Sequence, residues 1–136
     1  MSLVLDSSTT LAWLYQDEVD PLAEHIRKQV VNAGAWVPGI WRLEVANGLR
    51  TGLRRRRIDR DYRDDALLAL AMLNISVDPE TDRHAWTATL MLADRYDLTP
   101  YDAAYLELAR RRSLPLATFD DELRSSAKAI GVPVVG

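Results

Sequence analysis

Short aliphatic and β-branched runs punctuate this 136-residue chain, and helical stretches separate them. The runs are Leu3–Leu5, Ala35–Val37, Asn74–Val77, Leu114–Ala117 and Val132–Val135, and each reads as a short buried strand. Between them a helical period runs over Thr9–Gln16, Pro21–Ala33, Trp41–Arg54, Arg60–Leu73, Thr81–Tyr96, Tyr101–Arg112 and Asp121–Ile130. Strands joined through helices cannot pair as hairpins, so the pattern predicts a parallel sheet covered by helices on both faces. Pro21, Pro79, Pro100 and Pro115 fall where a helix or strand begins, and Gly34 and Gly131 follow helices as C′ residues. Pro115 and Pro133 weaken the edges of the last two runs, because proline donates nothing to a ladder. The length suits one domain over residues 1–136, burying about two-thirds of the surface that the unfolded chain exposes.

The composition closes off several chemistries. With no cysteine, disulfides, thiolate metal sites and cysteine nucleophiles are excluded, so any ion must be held by oxygen or imidazole. The first residues lack the basic start and apolar stretch of a signal peptide, and no run is long enough to span a bilayer. The expectation is a cytoplasmic protein with no membrane partner. The net charge of −3 argues against general attraction to nucleic acid, but 15 of the 17 basic residues are Arg, clustered at Arg54–Arg57 and Arg110–Arg112.

In an open α/β sheet, ligands bind beyond the carboxyl ends of the strands, at the point where strand order reverses. Asp6 ends the first strand and Asp120 follows the fourth. Glu44 lies on a helix whose apolar stripe runs Trp41, Val45, Gly48, Leu49, and Asp102 shares a stripe with Tyr105, Leu106 and Ala109. A carboxylate on a buried stripe is costly unless it is paired, protonated or bound to a cation, and no Lys or Arg on either stripe offers a pair. A plainer reading stands beside this: Asp6 and Asp120 as helix N-caps, Glu44 and Asp102 as first-turn acids favoured by the helix dipole. It suits any one residue better than all four together. Converging carboxylates without Cys or spaced His point to a hard cation, Mg²⁺ or Mn²⁺, of the kind that activates water on a phosphodiester.

The ordered segments Leu-Val-Leu-Asp6-Ser-Ser, Trp-Arg-Leu-Glu44-Val-Ala-Asn47, Thr-Pro-Tyr-Asp102-Ala-Ala-Tyr-Leu-Glu-Leu-Ala and Leu-Ala-Thr118-Phe-Asp120-Asp121-Glu-Leu resemble the PIN-domain ribonucleases, in particular the VapC-type toxins. The resemblance spans nearly the whole chain. It implies a three-layer α/β/α sandwich with a five-stranded parallel sheet in the order 3-2-1-4-5. It also implies a metal-dependent endoribonuclease acting on RNA, a homodimer, and a cognate antitoxin that restrains it. Matched residue by residue, it makes Asp6 and Asp102 the principal metal ligands, with Glu44 and Asp120 completing the acidic pocket. Asn47 and Thr118 match polar residues that orient the acids, while Asp121 is either a further ligand or a first-turn helix acid.

The remaining features read more plainly. Arg54–Arg57 could grip an RNA backbone, but with Asp59, Asp61, Asp64 and Asp65 close behind, a solvated charged face is the simpler reading. Arg110–Arg112 closes a helix, where cations suit the dipole. His25 and His84 lack a ligand-spaced partner. The four tryptophans are expected to face the core or a partner, with Trp13 and Trp41 nearest an interface. Gly48 and Gly52 would admit another helix, which weakly favours self-association. Two other functions fit the composition: a metal-dependent phosphatase, and a non-catalytic module with a structural cation. The Asp-x-Asp signature of one phosphatase class is missing, since Ser7-Ser8 follows Asp6.

Overall fold

A computed structural model describes residues 1–15 and 20–135. In chain order the elements are β1 Leu3–Leu5, α1 Ser7–Leu14, α2 Pro21–Ala33, β2 Ala35–Val37, α3 Trp41–Arg54, α4 Arg60–Ala71, β3 Ile75–Val77, α5 Thr81–His84, a π turn Ala85–Thr89, α6 Leu90–Tyr96, α7 Pro100–Arg112, β4 Leu116–Ala117 and α8 Asp121–Ala129. The strands pair in parallel in the order β3-β2-β1-β4, so chain order reverses between β1 and β4. Asp6 is tied into this edge, because its N–H donates to the Ala117 carbonyl at 3.1 Å.

The expected fifth strand shrinks to one parallel bridge between Leu116 and Val134. Leu116 N–H donates to the Pro133 carbonyl and Val135 N–H to the Leu116 carbonyl. Pro133 has no N–H to extend the ladder. Its place beside β4 keeps the expected order while leaving four true strands. Most helix bounds lie within two residues of expectation; Gln16, at the end of the first expected helix, lies outside the described residues.

The core forms where the sheet residues Val4, Leu5, Val37 and Leu116 meet Ile26 and Val30 of α2, Val45 and Leu49 of α3, and α7. Helix α7 is buried continuously from Ala103 to Ala109, which makes it the central helix. Gly34 and Gly131 take positive φ of 77° and 78°, as C′ glycines do.

Three readings of the sequence need correcting here. The single helix expected over Thr81–Tyr96 contains the π turn, which shifts the helical phase, and Trp86, expected to face the core or a partner, is 90% exposed and so outside the core. Trp41, expected near an interface, is buried within its own chain, and its indole N–H donates to Thr10 Oγ1 at 3.2 Å. Gly48 and Gly52 are already covered within the chain, since a Cβ on Gly48 would strike Leu11 and one on Gly52 would strike Tyr15. The close approach serves α1 of the same chain and leaves nothing for a second copy to fill.

Candidate metal centre

Asp6 leaves β1 and caps α1. Its side chain is almost fully buried and accepts from Thr118 Oγ1 at 2.7 Å, Ser8 Oγ at 2.9 Å and Ser8 N–H at 3.4 Å. Thr118, fully buried just past β4, also accepts from the Asp120 N–H at 3.1 Å. One hydroxyl thus links the first acid to the backbone of the last. Asp120 caps α8, accepting from the Leu123 N–H at 2.8 Å, and its exposed side chain stands at the mouth. Capping and clustering therefore coincide at Asp6 and Asp120.

Glu44 enters from the first turn of α3. Its Oε1 accepts from the Tyr105 hydroxyl at 2.6 Å and from Ser7 Oγ at 3.2 Å. Tyr105 lies fully buried on α7; burial first, then the bond to Glu44, pushes its hydroxyl well above the usual tyrosine range, so it stays a proton donor. In the sequence alone Tyr105 reads as an apolar stripe residue. Its spacing of three from Asp102 was the available signal, because it puts the phenol on the acid's face.

Asp102 sits three residues into the cap of α7, where its N–H, not its carboxylate, meets the cap residue Thr99 at 3.1 Å. Its partly buried carboxylate takes no hydrogen bond among the described residues. Burial, then the charges of Asp6, Asp120, Glu44 and Glu122, push its pKa up to about 6. The charges of the acids on β1, α3 and the β4–α8 junction therefore all reach the Asp102 carboxylate on α7. Glu122, unforeseen from sequence, contributes to that field, and the expected Asp121 is an exposed first-turn acid of α8. Asn47 is exposed, and its side chain makes no hydrogen bond to the acids; only its carbonyl is engaged, by Thr51.

Among the described residues no three His, Asp or Glu side chains close on one point as a ready-made cage. The donors are all oxygens, and Asp102 is a carboxylate for which a cation would supply the missing partner.

A pH dependence follows for the metal-free protein. Because the folded pKa of Asp102 lies above the ordinary 3.8, its contribution favours the fold below about pH 4 and is lost as pH rises through 6. Asp102→Asn stays neutral, so at pH 7 it should be more stable than wild type by about 1–2 kcal/mol, the linkage value reduced by solvent screening. Thermal melts in EDTA from pH 4 to 7 check this; a stability difference that does not grow with pH refutes it.

A family model described as PIN domain matches residues 3–129. The chain belongs to the PIN-domain family. This family carries a nuclease fold, generally used for metal-dependent cleavage of nucleic acid. No curated protein matches the sequence. Among solved structures, the crystal structure of PAE2754 from Pyrobaculum aerophilum superposes with a TM-score of 0.68 at 22% identity, covering 99% of this chain and 90% of that one. The similarity places this PIN domain in the same fold. No helix among its described residues is long and apolar enough to cross a membrane.

Proposed function

We propose that this PIN domain is a Mg²⁺- or Mn²⁺-dependent endoribonuclease and the toxin of a toxin–antitoxin pair. The observation that carries the nuclease reading is Asp102: partly buried, without a hydrogen-bond donor, and facing Asp6, Glu44 and Asp120 beyond the carboxyl ends of β1 and β4. Asp6 and Asp102 would be the principal ligands, with Glu44 and Asp120 completing the set directly or through water. When bound there, the ion would supply Lewis-acid polarisation of a phosphoryl oxygen and a water of lowered pKa for in-line attack.

The chain's own residues hold this arrangement in place. Tyr105 and Ser7 both donate to Oε1 of Glu44, and Thr118 holds Asp6 while receiving the Asp120 N–H. With the acids pre-placed, little reorganisation is left for the reaction itself. Family resemblance supports the toxin role, a homodimer and a cognate antitoxin as partner.

The test is incubation of the purified protein with a panel of RNAs in Mg²⁺, Mn²⁺ or EDTA. Cleavage is expected with either ion and should stop on chelation; cleavage that survives exhaustive chelation sinks the metal mechanism. Sedimentation at micromolar concentration should show a species of twice the 15.3 kDa chain mass, and a monomer alone would count against the homodimer.

A further inference from the structure

The turn between α3 and α4 carries a charged surface that the acid pocket does not use. Helix α3 ends at Arg54; Arg55, Arg56 and Arg57 follow, and α4 opens with Arg60. All five are exposed. Arg54, Arg55, Arg56 and Arg60 make no ion pair among the described residues. The carboxylate of Asp59, in the same turn, is engaged by the Tyr62 N–H at 2.8 Å.

The backbone beneath these side chains is fixed. Arg57 N–H donates to the Gly52 carbonyl at 2.9 Å and Arg56 N–H to the Leu53 carbonyl at 3.1 Å, the paired bonds of a Schellman ending. Arg56 takes the left-handed conformation, φ 59°, at the position where glycine is usual, so a cation stands there despite backbone strain. The Arg57 guanidinium lies 4.2 Å over the Tyr15 ring. Arg56, Arg57 and Arg60 with Tyr15 and Tyr62 line an open cleft of about 720 Å³.

We propose that this turn docks the phosphate backbone of an RNA strand whose scissile phosphate lies at the acid pocket; the inference rests on the nuclease reading above. Glu44 and Arg54 lie on one helix, ten residues and so about 15 Å apart at 1.5 Å per residue, placing the contact a few nucleotides from the cleavage point. Arg50, exposed on α3, lies between them. Guanidinium groups bind phosphate in bidentate fashion, and the Tyr15 ring holds the Arg57 guanidinium at the edge of the cleft. Because the chain as a whole carries −3, RNA is held by this local concentration of cations and not by net charge.

The test is fluorescence anisotropy with a labelled single-stranded RNA of about 20 nucleotides, in EDTA to prevent cleavage, at salt from about 50 to 200 mM. The triple variant Arg54→Ala, Arg55→Ala, Arg60→Ala should bind at least about tenfold more weakly at low salt, with its salt slope shrunk by about 2, near 0.7 per lost phosphate contact. A charge-matched control, Lys28→Ala, Arg110→Ala, Lys128→Ala, should keep both values. Arg56→Gly, which suits the left-handed position and keeps the turn folded, should lower the slope by about 0.7. Equal losses in the two triple variants, or none in either, overturn the proposal. Unchanged RNA binding with loss of binding to a polyglutamate peptide also overturns it, and assigns the turn to an acidic protein segment. Since binding is read without metal, Arg-dependent RNA affinity in a protein that cleaves no RNA would sink the nuclease reading and leave only RNA docking at the turn, without a scissile phosphate at the acids.

Discussion

Asp6→Asn and Asp102→Asn are each expected to cut RNA cleavage at least about a hundredfold and to weaken Mn²⁺ binding, because loss of mere supporting contacts around a metal already costs 10–100-fold. Both changes conserve volume and retain an acceptor oxygen while removing the charge that holds the cation. At Asp6 the variant must still satisfy Thr118 and Ser8, whose hydroxyls meet the carboxylate at 2.7 and 2.9 Å. At Asp102 no hydrogen bond is disturbed. Asp6 also caps α1, and Asn caps about as well as Asp, so a purely structural Asp6 predicts unchanged cleavage. Single-turnover cleavage, with Mn²⁺ titration by calorimetry and a metal-free melt, separates the readings. Unchanged activity in both variants would refute the site assignment.

A second large effect is expected far from the acids' shared pocket. Arg111→Met should destabilise the fold by about 3–5 kcal/mol, the usual loss when one partner leaves a buried ion cluster. Asp78, whose side chain is wholly buried, receives both terminal nitrogens of Arg111, at 2.6 and 3.1 Å, and is met from the other side by Arg112 at 2.9 Å. Burial opposes its charge, yet the two guanidiniums hold its carboxyl below the ordinary 3.8. This stabilisation is therefore present above about pH 4 and fades as pH falls through the depressed value. Arg111 also makes the only hydrogen bonds to the buried Glu107 carboxylate among the described residues, at 2.9 and 3.1 Å. Arg112→Met should cost less, because Arg111 continues to neutralise Asp78 and what is lost is one pair plus stacking 3.5 Å over Trp36. Urea denaturation at pH 7 gives the ranking; an Arg112 loss equal to or larger than the Arg111 loss would contradict it.

These two predictions differ in how far sequence alone could reach. Asp6 and Asp120 were legible because each closes an aliphatic run, and the parallel sheet brings such ends together. Glu44 and Asp102 were legible as acids on apolar stripes. The Arg111–Asp78 cluster was not: Arg111 read as a dipole-complementing cation, and its partner lies 33 residues earlier, after β3. Periodicity reports the face on which a residue lies but says nothing of which distant loop meets that face. The same limit hid Tyr105, whose ring obeys the apolar pattern while its hydroxyl serves Glu44. For Trp86 the sequence left core and partner open, and the π turn, which breaks the helical phase, carries it out of the core. The fifth strand failed on local chemistry already visible in Pro133, whose missing N–H left a bridge where a ladder was expected.

Helices α1 and α3 meet at Ser7 with Glu44, Leu11 with Gly48, and Tyr15 with Gly48 and Gly52, successive contacts one turn apart on both helices. The pair works like tweezers whose tips are the two acid-bearing ends and whose shanks touch only because two side chains are missing. A methyl group at Gly48 or Gly52 would be a wedge between the shanks, felt at the tips as a changed gap between Asp6 and Glu44. The spacing of the acids is thus written partly in residues that carry no charge and touch no ligand, and a search for the determinants of ion binding confined to the pocket's lining would pass them by.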